Sequence, residues 1–294
     1  MIFAYRTMPA ILVGVALLAV SAGAEDVITA TGSTTLQPVI EKAAAKFQET
    51  HAGVKIEVKG GGSSLGVKDV GEGKTLLGMV SRDLKKEERE KFADLEPVRI
   101  AQDGIALIVH KDNPLTGLSK RQVQDIYGGK IASWKELGGG DAPIALVGKT
   151  EGHSTLELFL LFFELEVKPI AEGEVQAMVH RVKGSEAYAT VKAKLIGPNA
   201  DAIQSVTQSP TAIAYVSIGT AQKAVQDGLP IKLLDLDGVA ATVEHVATGA
   251  YPLRRPLLLV TKGKPTGVLA EFLAFLRGAD GRKIIQELDF IPAE

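Results

Sequence analysis

The chain has 294 residues, 46% of them hydrophobic, with 33 basic and 35 acidic side chains and a formal charge of −2. That balance excludes a broad basic face for nucleic acid, so any site for a polyanion has to be local. The length admits two lobes or one large domain, and the absence of cysteine excludes disulfides, thiolate metal sites and cysteine nucleophiles.

Among the first 24 residues Arg6 is the one charged side chain, and residues 9–20 form an apolar stretch too short to span a bilayer comfortably. Ala22-Gly23-Ala24 fits a small-x-small cleavage signal. Residues 1–24 therefore read as a secretory signal peptide, with Glu25 first in the mature chain. A lipid-anchored export signal needs a cysteine at the cleavage point, so a freely soluble periplasmic or secreted protein is expected.

Residues 27–30 predict a strand that stops at Gly32, followed by Ser33, Thr34 and Thr35. Leu36, Val39, Ile40, Ala43, Ala44 and Phe47 then recur at helical spacing. A second strand over 55–58 leads into Gly60-Gly61-Gly62-Ser63-Ser64 and another helix. Residues 76–81 read as a buried strand, followed by Arg82-Asp83 and a charge run, 84–92, that reads as an exposed helix face. A strand over 100–110 ends at Asp112-Asn113-Pro114; Val123, Ile126 and Tyr127 mark a short helix stopped by Gly128-Gly129, beside which Trp134 packs. A strand over 144–147 precedes Gly152-His153-Ser154-Thr155 and a long apolar helix. Further helices are expected near 157–167, 187–195 and 201–208, strands at 212–217, 231–236 and 257–260, and closing helices near 266–277 and 281–288. The alternation predicts an α/β fold with mainly parallel sheets flanked by helices.

Three strand–Gly–Ser/Thr–helix units thus occur in one chain. The first turn of a helix carries unpaired N–H groups at the positive end of its dipole, glycine lets backbone approach closely, and hydroxyls add donors. Three such turns pointing at one place suit a tetrahedral oxyanion. Gly62-Ser63-Ser64-Leu65-Gly66 also matches the G-x-S-x-G nucleophile elbow, which makes a secreted serine hydrolase using Ser64 an alternative. Its histidine candidates, His153, His180 and His245, stand in no recognisable motif, and the other two turns would go unexplained. The Gly-Lys-Thr tripeptides at 73–75 and 148–150 lack the glycine five residues upstream that a P-loop needs; Lys68 and Pro143 stand there. No H-E-x-x-H occurs among the five histidines, and neither a metal nor a cofactor is called for.

The sequence resembles the phosphate-binding proteins of bacterial ABC importers. The resemblance rests on TGSTTLQP (31–38), GGGSS (60–64), LTGLSKRQVQDIYGGKIASWKELGG (115–139), GKTEGHST (148–155), SPTAIAYV (209–216) and YPLRRPLLLVTKGKPTG (251–267). It implies a two-lobed type II periplasmic binding protein with the ligand in a cleft between lobes: residues 25–108 and 252–294 in one lobe, 109–251 in the other. It implies capture of inorganic phosphate without covalent chemistry, delivery to a membrane permease, and a monomer. Ser33 and Thr34 match the family's first turn and Ser63 or Ser64 its second. Lys149 stands where the family usually has arginine, which loses a bidentate fork, and His153, Ser154 and Thr155 fall in its Gly-Ser-Gly-Thr turn. The family often has Ser-Asp after the strand equivalent to 76–80, where the aspartate accepts the proton of hydrogen phosphate; here Ser81-Arg82-Asp83 leaves two options. Either Asp83 takes that role or Arg82 faces the anion, unless Arg82 pairs Asp83 or the nearby glutamates outside the cleft. These departures also admit another oxyanion or a phosphorylated metabolite as ligand.

Overall fold

The computed structural model describes residues 26–172 and 175–293; the expected signal peptide lies outside them. The chain opens with β1 (Asp26–Gly32), α1 (Gln37–Gln48), β2 (Val54–Gly60), α2 (Ser63–Gly71) and β3 (Leu77–Val80), and β1 pairs in parallel with both β2 and β3. The helical spacing read in α1 is its buried face: Val39, Ile40, Ala43, Ala44 and Phe47 all point inward. The charge run becomes α3 (Lys86–Lys91), which buries none of its residues.

Next comes β4 (Leu95–His110), 16 residues long, which ties the molecule together. It is followed by β5 (Gly117–Leu118), α4 (Lys120–Tyr127), a 3-10 turn at Trp134–Leu137, β6 (Ala145–Lys149) and α5 (Ser154–Phe162). Then come β7 (Leu165–Glu172), β8 (Val175–Val182), β9 (Lys192–Ile196), α6 (Asn199–Gln208), β10 (Ala212–Ser217), α7 (Ile218–Gln226), β11 (Ile231–Leu236) and α8 (Val243–Ala247). The chain closes with β12 (Arg254–Lys262), α9 (Gly267–Arg277), α10 (Ala279–Glu287) and β13 (Ile291–Pro292). The strands run in the order β2-β1-β3-β12-β4-β10-β6-β9-β8-β7.

Along β4 the partner changes. From Leu95 to Gly104 it pairs antiparallel with β12, and from Ile105 onward with β10 and β11. The hydrophobic core divides at the same place. Ile28, Leu36, Phe47, Met79, Leu257 and Phe272 belong to one cluster; Tyr127, Trp134, Phe159, Phe163, Tyr215 and Tyr251 belong to another.

Two expected helices differ in the structure. The helix expected over 157–167 stops at Phe162: Glu164 takes a left-handed backbone (φ 51°) and β7 begins at Leu165. The segment 187–195 is not helical, and its end enters β9, where Ala193 is buried between exposed Lys192 and Lys194. That is a period of two, and β7, β8 and β9 form an antiparallel meander. Among the described residues no helix is long and apolar enough to cross a membrane.

Candidate functional site

The three glycine-rich turns meet. Gly32 has φ +130°, and a Cβ there would collide with the Met79 carbonyl oxygen; this lets Ser33 N–H donate to that carbonyl (2.7 Å) at the end of the neighbouring strand. Gly62 N–H donates to Gly32 O (2.8 Å), which joins the first turn to the second. Ser64 N–H donates to Gly152 O (3.2 Å), which joins the second to the third. The helices that start here, α1, α2 and α5, have no side-chain cap. Elsewhere Ser119, Ser217 and Thr242 cap α4, α7 and α8, while α6, α9 and α10 lack a side-chain cap as well. What sets α1, α2 and α5 apart is that their starts meet at one place, with no cap side chain taking their first-turn N–H groups.

Ser33, Thr34, Thr35, Gly62, Ser63, Ser81, His153, Ser154 and Thr155 line one narrow cavity. Ser81, at the end of β3, is its hub. Ser33 Oγ donates to Ser81 Oγ (2.9 Å), Ser154 and Ser63 hydroxyls lie 2.6 and 3.3 Å from it, and Ser81 N–H donates to Ser63 Oγ (3.0 Å). Four hydroxyls from four segments can rotate to donate toward one centre.

The cation beside this cavity is Arg255, whose side chain is 0% exposed. It comes from β12 and sits opposite Asp103 of β4 in register. Its Nε and Nη2 both donate to Asp103 Oδ2 (3.0 and 2.8 Å), while Nη1 donates to Thr155 (3.0 Å) and Ser154 (3.4 Å) and Nη2 to Thr35 (3.0 Å). Asn199 Nδ2 adds a donor to Thr35 Oγ1 (3.2 Å). One arginine therefore bonds hydroxyls of the first and third turns while its charge is balanced from the strand on which the partner exchange occurs. The sequence reading missed Arg255, although it lies in the 251–267 motif. Two consecutive arginines open that strand, and only strand parity tells that Arg254 is exposed and Arg255 buried.

Of the residues expected at the site, Ser33, Thr34, Ser63, His153, Ser154 and Thr155 line the cavity; Ser64, Arg82, Asp83 and Lys149 lie outside that lining. Arg82 is buried, but its charge is spent elsewhere. Its two terminal nitrogens donate to both oxygens of Glu88 (2.7 and 2.8 Å), and Nη2 also donates to Ser64 Oγ (3.1 Å). Its Nε lies 2.7 Å from Glu157 Oε2, an ion contact whose N–H is not aligned as a hydrogen bond. Burial opposes both charges, yet the pairing wins: the Arg82 guanidinium is held above its ordinary value and the Glu88 carboxyl below. Asp83 is exposed, so the one-residue shift turns its carboxylate outward. Ser64 Oγ donates to Glu157 (3.2 Å) and accepts from Arg82, and among the described residues no histidine bonds to it.

Lys149 is buried and donates to Gly197 O (3.2 Å) and Pro198 O (2.9 Å). Burial, and then the positive charge of Arg255, push its ammonium down to about 7, with Asp201 acting the other way. The His153 ring is fixed by Thr150, whose Oγ1 and carbonyl oxygen lie 3.1 and 3.2 Å from Nδ1. A carbonyl only accepts, so this contact places the ring proton on Nδ1. Burial and then Lys149 hold His153 below its ordinary value. Among the described residues no group of acidic or histidine side chains could hold a metal ion.

Comparison with known proteins gives a consistent result. The family model for the PBP superfamily domain matches residues 19–279. A phosphate-binding protein PstS of Bacillus subtilis is 31% identical over 270 residues, covering 90% of this chain and 80% of that one. A PstS of Pseudomonas aeruginosa is 27% identical over 293 residues, covering 92% and 84%. A Clostridium perfringens structure with bound phosphate, assigned as a phosphate ABC transporter substrate-binding protein, has a TM-score of 0.78 at 33% identity and covers 92% of this chain and 100% of that one. An ABC-type phosphate transport receptor from Vibrio cholerae has a TM-score of 0.67 at 26% identity, covering 91% and 100%. An α/β fold with its uncapped helix ends, hydroxyls and one buried arginine gathered at a single cavity, matched along nearly its whole length by these proteins, belongs to the PBP superfamily.

Proposed function

We propose that this protein captures inorganic phosphate in the cavity around Ser81 and delivers it to the membrane permease of an ABC importer. The observation that carries the reading is the convergence of three uncapped helix N-termini and the hydroxyls of Ser33, Ser63, Ser81, Ser154 and Thr155 beside the buried Arg255. Such a site suits a small dianion, since each buried charge-assisted hydrogen bond contributes on the order of 1.5–3 kcal/mol. Binding involves no covalent step. The relatives' names support the ligand class and the importer role.

The two lobes of this reading are residues 25–108 with 252–294, and 109–251. The handover of β4 between Gly104 and Ile105 and the divided core support a hinge there, about which the lobes close. The mature protein works as a monomer in the periplasm after loss of residues 1–24.

A second reading keeps the fold and changes the anion. None of the nine residues lining the cavity is acidic, so no carboxylate there reads the proton that hydrogen phosphate carries and sulfate lacks. Titration calorimetry of phosphate-free protein with phosphate, sulfate and a phosphate ester in turn tests both. Tight phosphate binding with weak sulfate and no ester binding is the expected result; sulfate binding at equal affinity moves the assignment to a generic tetrahedral dianion, and binding of none overturns both.

A further inference from the structure

Outside the cavity, four groups from the segment 64–88 gather around one residue of α5. Glu157 receives Ser64 Oγ–H at 3.2 Å, Arg82 Nε lies at 2.7 Å, and Lys85 Nζ at 3.0 Å. Glu88 completes the set through its paired bonds to Arg82. The packing of these residues is split. Val67, Val70, Val80 and Leu84 surround Ser64, Arg82 and Lys85 in sequence and sit in a cluster with β12, whereas Leu156 and Phe159 flank Glu157 and sit in the cluster of Tyr127 and Tyr215. The contacts therefore join the two packing units across the cavity's rim.

An acidic residue in the first turn of a helix is ordinary, because it faces the positive end of the dipole. That accounts for a carboxylate at this position and not for its three partners. Nor does Arg82 need Glu157 for neutrality: Glu88 already takes both of its terminal nitrogens. The second carboxylate becomes meaningful when the units separate. Arg82 then keeps Glu88 and remains balanced, while Glu157 passes into water. The pair can thus break without stranding a buried charge, and re-form without recruiting a new one.

Resting on the phosphate reading above, we propose that Glu157 is a positioning residue for anion capture. Through Arg82, Lys85 and Ser64 it fastens the second glycine turn against the third, and so sets how long the closed form holds its anion. Its side chain bonds none of the residues lining the cavity and contributes no donor to the ligand. Its contribution falls on release: association needs the turns open, and the fastening forms after the anion is in.

The test measures phosphate association and dissociation rates for the parent, Glu157→Gln and Glu157→Asp, together with the melting temperature of each in phosphate-free buffer. Glu157→Gln is expected to speed dissociation at least about tenfold, the effect of losing one charge-assisted contact, with association changed less than about twofold and the phosphate-free melting temperature unmoved. Glu157→Asp, which keeps the charge on a shorter arm, is expected to recover part of the loss. Unchanged dissociation in Glu157→Gln overturns the proposal. So does a fall in phosphate-free stability as large as the loss of affinity, since a merely structural role predicts that. A parent that binds no phosphate fails the functional reading instead, and that outcome is seen before any variant is made.

Discussion

Two buried arginines bond to residues of the glycine turns, and they do opposite things with the same chemistry. Arg255 meets one carboxylate, Asp103, through one oxygen, and its remaining donors reach Thr35, Ser154 and Thr155. Arg82 meets two carboxylates, Glu88 and Glu157, and reaches the cavity with nothing. A buried guanidinium serves an anion site only when its acids leave some of its five N–H groups unspent. Counting cations near a candidate site therefore says little; counting their free donors says more.

The largest effect is expected at Arg255. Arg255→Gln leaves Asp103 buried without its cation, and breaking such a pair costs about 3–5 kcal/mol. Phosphate affinity is expected to fall a hundredfold or more, with a loss of folding stability visible in denaturant titration. Arg82→Gln is expected to cost far less affinity. Equal losses in the two variants would erase the distinction drawn here.

Ser81→Ala sharpens the same contrast from the cavity side. It removes the hydroxyl that joins Ser33, Ser63 and Ser154 and leaves no cation unpaired, so an affinity loss of about 1–3 kcal/mol is expected by calorimetry. An unaffected Ser81→Ala would move the anion away from this hub.

Lys149 gives a subtler readout, in protons. Its ordinary value is 10.5 and its value here is about 7. Between those limits the native state holds fewer protons than the unfolded chain, so this residue makes the protein more stable as pH rises from about 7 to 10.5. Below pH 7 its full penalty is present. An anion arriving nearby favours the charged ammonium, so binding above pH 7 is expected to draw a proton from the buffer. Calorimetry at pH 8 in buffers of different ionisation enthalpy measures that uptake, which Lys149→Met should abolish. Uptake that survives the substitution assigns the proton to another group, His153 first.

Much of this was legible in the sequence, for a physical reason. Glycine where backbone must approach, hydroxyls just after it and apolar helical spacing behind are local signals, and the turns at 32–35, 60–64 and 152–155 are local structures. Arg255 was hidden because its role depends on which way a strand faces and on Asp103, 152 residues away. For Arg82 the pairing with Glu88, six residues on, was one of the local readings, whereas Glu157 becomes its neighbour only on folding. The segments 163–167 and 187–195 were legible and misread. The first continues the apolar run of α5 by composition, whereas the alternation in Lys192-Ala193-Lys194 has the strand's period.

The glycine at position 62 carries a mechanical consequence. It has φ +94°, and a Cβ built on it would stand 2.6 Å from Gly152 O. At this seam main chain meets main chain, with no side chain between to swing or compress. In the proposed closure, covalent geometry at this contact would set the stopping point. A methyl group at 62 would act as a wedge, leaving the jaws ajar with all the site's donors intact but held too far apart to grip.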